Sequence, residues 1–145
     1  MSITKTNTRM MEGFETGTWT AGITVGSGSV TLDNSYKTGL YQKIGNVVFI
    51  NLHLRASAVS SPSGFVEITG LPFSTPNDFN YRFSLGCCTH FGMTNMDASD
   101  VIMPHISSNA DYISIFTQNG DNITSSIGNR FTATSEIYIT GSYMV

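Results

Sequence analysis

The chain has 145 residues, only 12% of them charged, and a formal net charge of −3. That length suits one domain with a real core and no need of metal or disulfide staples. The seven cationic side chains, Lys5, Arg9, Lys37, Lys43, Arg55, Arg82 and Arg130, are scattered, so no basic stripe exists to neutralise phosphates or an anionic membrane surface.

Aromatics make up 11% of the residues, and Gly, Ser, Thr and Asn fill much of the remainder. This is the composition of a β-rich extracellular or virion protein rather than of a helical cytosolic enzyme. The first residues, MSITKTNTRMMEG, hold no apolar run, so no signal peptide is expected, and no stretch is long enough to span a bilayer. Synthesis in a cytoplasm follows as an expectation.

Residues 1–13 are polar and aperiodic and read as an N-terminal arm that carries Met10 and Met11 towards a partner. From Phe14 the pattern is β throughout. Strands are expected over 18–25, 29–32, 36–44, 47–56, 65–69, 81–88, 101–106, 112–117, 122–126 and 136–145. Breaks are expected at 26–28, 33–35, 60–64, 74–77, 119–121 and 128–129, where Gly, Pro, Asn, Asp and Ser cluster. About ten short strands at this spacing predict an all-β fold, an antiparallel β-sandwich or jelly roll over 14–145. The one uncertain stretch, 91–104, reads as a loop or a single helical turn.

In the first of these strands Trp19, Ala21 and Ile23 share one face, and that apolar company places the only tryptophan in the core or a subunit seam rather than on a sugar platform. The segment 39–55, GLYQKIGNVVFINLHLR, is a hairpin whose Gly45-Asn46 connection suits a type II′ turn. With Ile44 facing Val47, Tyr41 faces Ile50 and Gly39 faces Leu52. Val48, Ile50, Leu52, Leu54 and Tyr41 then share a wholly apolar side that must be core. The other side carries Leu40, Ile44, Val47 and Phe49 near the turn, then Asn51, His53 and Arg55. A contiguous apolar group of this kind marks a surface covered either by another element of the chain or by a second copy. Leu40, Ile44, Val47, Phe49 and His53 are therefore the candidate oligomer contacts, with histidine stacking about a threefold axis a further reading of His53.

Downstream, Leu71 and Phe73 of Gly70-Leu71-Pro72-Phe73 act as plugs at a fixed turn. Cys87 and Cys88 are adjacent on a strand, where a disulfide is awkward, and read as packed thiols. The last strand puts Ile137, Ile139, Tyr143 and Val145 inward and Glu136, Tyr138, Thr140, Ser142 and Met144 outward.

Catalytic signals are sparse. Asp97 and Asp100 are the only close carboxylate pair, in a loop where turn formation is the ordinary role, whereas glycoside hydrolysis needs two carboxylates set roughly 5–10 Å apart across a groove. His53, His90 and His105 lie on different strands without a short-range ligand pair, so no metal site is assigned. Nucleophile elbow, phosphate loop and dinucleotide fingerprint are all missing from the sequence, and no cofactor is expected. Neither Asn122-Ile123-Thr124, without a secretory signal, nor the turn at Asn119-Gly120-Asp121 is assigned a ligand. Carbohydrate docking has a more fitting composition, with aromatic faces beside Asn, Asp and Arg. The candidate platforms are Tyr36, Tyr112 and above all Asn77-Asp78-Phe79-Asn80-Tyr81-Arg82, the alternative being a polar loop whose two aromatics pack back on the sandwich.

Read together, Phe14-Glu15-Thr16-Gly17-Thr18-Trp19-Thr20, the 39–48 hairpin, Ile68-Thr69-Gly70-Leu71-Pro72-Phe73 and Ile137-Tyr138-Ile139-Thr140-Gly141-Ser142-Tyr143 resemble the C-terminal β-sandwich modules of bacteriophage tailspikes and tail fibres. The resemblance implies a lectin-like jelly roll that forms a homotrimer, belongs to the virion, and either contacts host surface polysaccharide or acts as a trimerisation or maturation module without a ligand. It implies no catalytic residues, because glycan cleavage in that family usually belongs to an upstream β-helix. A capsid decoration or head-fibre subunit held to other virion proteins by residues 1–13 is the alternative, and a polysaccharide-cleaving enzyme a distant third.

Overall fold

The computed structural model describes residues 13–145; the expected arm, Gly13 apart, lies outside them. The described residues form an antiparallel β-sandwich of ten strands: β1 (Phe14–Thr20), β2 (Gly22–Leu32), β3 (Thr38–Ile44), β4 (Val47–Thr69), β5 (Phe83–Ser84), β6 (Cys87–Phe91), β7 (Val101–Ile106), β8 (Tyr112–Asn119), β9 (Asn122–Thr124) and β10 (Glu136–Met144). The only helical pieces described are single 3₁₀ turns at Asn34–Tyr36 and Gly128–Arg130.

β4 is 23 residues long and belongs to both layers. Its first half pairs with β3 and β10, giving a sheet ordered β1-β3-β4-β10-β6, hereafter sheet I. Its second half pairs with β8, and β2 runs beside it, giving sheet II in the order β2-β4-β8-β7-β5, with β9 on the end of β8. The inward rows are those that the period-2 pattern demands. Val48, Ile50, Leu52 and Leu54 of β4 with Ile137, Ile139 and Tyr143 of β10 face Val66, Ile68, Ile102, Ile106, Ile113 and Ile115 across one core. The hairpin register holds as the turn chemistry predicts, with Ile44 opposite Val47, Tyr41 opposite Ile50, and Gly45 at φ +58°.

Two expected interruptions are not breaks. The stretch 60–64 stays within β4, and 26–28 stays within β2, because each lies opposite the other. Glycine meets glycine there: a Cβ on Gly26 would approach the Gly64 Cα to 3.2 Å, and Gly28 (φ +72°) and Ser61 (φ 41°) absorb the register shifts as bulges. The expected single strand over 18–25 divides at Ala21, whose N–H leaves the ladder to donate to the Lys37 carbonyl. The stretch expected over 81–88 divides into β5 and β6, and of 91–104 the part between Phe91, the last residue of β6, and Val101, the first of β7, is loop.

Candidate functional site

The outer surface of sheet I assembles rows of side chains from strands far apart in sequence. The first row is Phe14, Ile44, Val47 and Met144; the second is Thr16, Gln42, Phe49 and Ser142; the third is Thr18, Leu40, Asn51 and Thr140. None carries a formal charge. Leu40 is 58% exposed and Phe49 46%, with Ile44, Phe14 and Met144 also open and Val47 half-buried. Of the residues expected to form an association face, Leu40, Ile44 and Phe49 are thus left open by the described part of the chain, whereas Val47 and His53 are partly covered. Shallow depressions of about 270 Å³ and about 90 Å³ lie beside Leu40, Phe49, Asn51 and Thr140, and beside Asn51, Tyr138 and Thr140.

Phe14 and Met144 join this face although the association residues expected from sequence did not include them. Met144 could have been read from the alternation of the last strand, while Phe14 enters through the pairing of β1 with β3, which local pattern does not specify.

Further along the same face an aromatic and ionic ladder replaces the hydrocarbon. The His53 ring stacks on Tyr138 at 4.1 Å and 13°, and Tyr36 meets His53 edge-on at 4.8 Å. Phe91 meets Tyr138 edge-on at 5.9 Å, and the Arg55 guanidinium lies 5.6 Å from the Tyr36 ring centre. Glu136 ties the ladder together. It accepts a 2.7 Å hydrogen bond from the Tyr138 hydroxyl, lies 3.2 Å from His53 Nε2, and has Arg55 Nε at 3.7 Å. The Tyr138 hydrogen bond, then His53 and Arg55, hold the Glu136 carboxyl below its ordinary range, and the same bond raises the Tyr138 phenol. His53 therefore has partners within its own chain.

The carbohydrate candidates are dispersed. Tyr36 belongs to the sheet I ladder and Tyr112 to β8 of sheet II, where it pairs with Thr69. Asn77, Asp78, Phe79, Tyr81 and Arg82 share one loop, shaped by Asp78 Oδ1 accepting from the Asn80 N–H at 2.9 Å and the Asp78 carbonyl accepting from the Tyr81 N–H at 2.9 Å. Phe79 stands 81% exposed with the Arg82 guanidinium 5.4 Å from its ring centre. Tyr81 is half-buried, its ring centre 6.3 Å from that of Phe83, which packs on the core. One aromatic of this loop is presented to solvent and the other leans back.

Asp97 and Asp100 serve to brace a loop. Asp100, with a side chain only 2% exposed, meets Arg130 Nη1 at 2.6 Å and accepts from Asn119 Nδ2 at 3.0 Å and from the Asp97 N–H at 2.9 Å. The Asp97 N–H bond, with Arg130 and Asn119, holds the Asp100 carboxyl below its ordinary range against the opposing effect of burial. His53, His90 and His105 sit on the outer face of sheet I, on β6 and on β7 respectively, and among the described residues no group of His, Cys, Asp and Glu is arranged to hold a metal ion.

No protein-family model and no curated protein matches the chain. Among solved structures, the Dettilon tailspike protein (gp208) superposes with a TM-score of 0.71 at 20% sequence identity, over 90% of this chain and 24% of that one. The chain thus shares the fold of about a quarter of the length of a tailspike.

Proposed function

We propose that this chain is a bacteriophage virion structural module of tailspike or tail-fibre type, which associates with two further copies through the outer face of sheet I. The observation that carries the reading is the run of uncharged rows in which Phe14, Ile44, Val47 and Met144 are followed by Phe49 and Leu40, with only Thr, Gln, Ser and Asn between them. A solvated sheet face alternates polar residues outward, and charged residues are depleted in the centres of interfaces. The fold shared with a tailspike protein supports the virion setting. Light scattering on the purified chain at micromolar concentration tests it. Three times the chain mass is expected, and a stable monomer would overturn the reading.

The loop over 76–82 extends the proposal to host surface polysaccharide. An open aromatic ring beside Arg82, Asn77 and Asp78 offers CH–π stacking with hydrogen-bonding groups at its rim. Its role in this reading is attachment rather than cleavage, since the carboxylate pair of Asp97 and Asp100 braces a loop.

A further inference from the structure

The loop over 76–82 leads directly onto the outer face of sheet II. Arg82 precedes β5, in which Phe83 packs on the core opposite Ile106, and Ser84 lies opposite His105. Side chains alternate along a strand, so Arg82 falls on the outer side of the sheet, diagonal to His105. On β7 and β8 the buried positions are Ile102, Pro104, Ile106, Ile113, Ile115 and Thr117, which leaves Met103, His105 and Phe116 on that same outer side. Met103 lies opposite Phe116, and the His105 ring meets the Phe116 ring edge-on at 6.0 Å. With Ile123 of β9, which is 61% exposed, they line a shallow depression of about 250 Å³. Phe79, Arg82, His105 and Phe116 thus follow one another from the loop onto the sheet.

Arg82 is the cation of this stretch. Its guanidinium stands over the Phe79 ring, and among the described residues it has no ion-pair partner, the ion pairs there belonging to His53, Arg55 and Arg130. Its charge reaches His105, whose imidazole is held below its ordinary range first by burial and then by Arg82. The ring is therefore mostly neutral near pH 7, beside a fixed positive charge. None of the nearby carboxylates pairs with that charge. Asp78 Oδ1 accepts from the Asn80 N–H of its own loop, Glu67 lies beyond Ser114 on β4, and Asp121 lies in the turn between β8 and β9. An unpaired guanidinium matches the oxygens of a carboxylate or a phosphate in geometry as well as in charge. Sugar rings present C–H faces that suit Phe79 and Phe116.

We propose that this surface takes an acidic polysaccharide: Arg82 binds the carboxylate or phosphate of a sugar stacked at Phe79, and the next unit lies in the depression between His105, Phe116 and Ile123. This rests on the role in glycan attachment proposed above for the loop, and specifies the charge and the course of the polymer bound there. The full chain is passed over immobilised uronic-acid, phosphodiester-linked and neutral polysaccharides, and over the uronic-acid polymers after reduction of their carboxyl groups to alcohols. Retention is expected on acidic polymers, with affinity at least about tenfold lower in Arg82→Gln, as for the loss of a hydrogen bond to a charged group. Carboxyl reduction should weaken the unsubstituted chain to the same degree and Arg82→Gln no further. Retention on the phosphodiester polymer alone, lost in Arg82→Gln, identifies the anion as phosphate. Ile123→Asp, at an exposed side chain of the depression, should weaken retention several-fold by repulsion, and circular dichroism checks that both variants fold. Retention indifferent to carboxyl reduction and to Arg82→Gln, yet lost in Phe79→Ala, overturns this inference and leaves the loop a platform for neutral sugar. Full retention by Ile123→Asp overturns the course through the depression. No retention on any of these polymers overturns both readings.

Discussion

Trp19 lies across Gly39. The two are opposite each other on β1 and β3, and a Cβ added to Gly39 would collide with the indole ring. The pairing repeats two residues away with the roles exchanged, because Tyr41 lies across Gly17, where an added Cβ would come within 2.7 Å of the phenol ring. Glycine on one strand lets the aromatic of the other lie flat, which locks the register of the edge strand. Trp19 is buried by this arrangement, and Tyr41 is held by donating to Glu15 Oε1 at 2.6 Å.

Gly39→Ala is therefore expected to destabilise the fold by about 1–3 kcal/mol, the range for overpacking a close-packed site. Gly45→Ala has open space around it but a left-handed backbone, and is expected to cost about 1–2 kcal/mol through strain alone. Urea unfolding of both variants checks this. A neutral Gly39→Ala would mean that the indole does not occupy that place.

Tyr143 is buried, and its hydroxyl donates to the Phe73 carbonyl at 3.0 Å, tying the last strand to the turn after β4. Burial pushes its phenol up to about 12. A raised value in the fold means full stability below pH about 10, where an unfolded tyrosine starts to ionise, and progressive loss between about 10 and 12. Tyr143→Phe is expected to cost about 1–2 kcal/mol at neutral pH, since it removes the hydrogen bond that the Phe73 carbonyl accepts. It should also flatten the alkaline limb of a plot of stability against pH.

At the acid end, Asp100 has the opposite sign. Its lowered value in the fold stabilises above the ordinary carboxylate range, and that contribution is lost as pH falls through the folded value. Asp100→Asn is expected to lower the melting temperature at pH 7 and to leave a shallower decline on acidification. Unchanged melting at both ends would show that the brace between 97–100 and Arg130 contributes nothing.

Deleting residues 136–145 removes β10 from between β4 and β6, together with Ile137, Ile139 and Tyr143 of the core. No folded product is expected, with loss of the β signal in circular dichroism. A soluble, cooperatively melting truncated chain would contradict the placing of this strand inside sheet I.

Phe79→Ala should leave stability within about 0.5 kcal/mol, as for other exposed positions. It is expected to abolish retention on immobilised capsular polysaccharide of a strain to which the unsubstituted chain binds. Tyr81→Ala should lower both stability and retention, because that ring leans on Phe83. Retention unchanged in Phe79→Ala would remove the loop as a sugar platform.

Much of this molecule was legible one strand at a time. Alternation in 47–56 and 136–145 assigns Val48, Ile50, Leu52, Ile137, Ile139 and Tyr143 to the core, and Gly45-Asn46 sets the register of the first hairpin, because side-chain direction and tight turns depend on neighbouring residues alone. Which strands lie side by side depends on contacts across long stretches of chain. That β4 continues through 60–64 required β2 to bring its own glycines opposite, and Phe14 and Met144 reach Ile44 and Val47 only through pairings with β3 and β4. The Leu40 and Phe49 side of the hairpin could be read as apolar from the letters. Its being open, and the exposure of Ile123 on the other layer, were decided by the packing of the two layers, since local pattern shows which way a side chain points but not what stands opposite it.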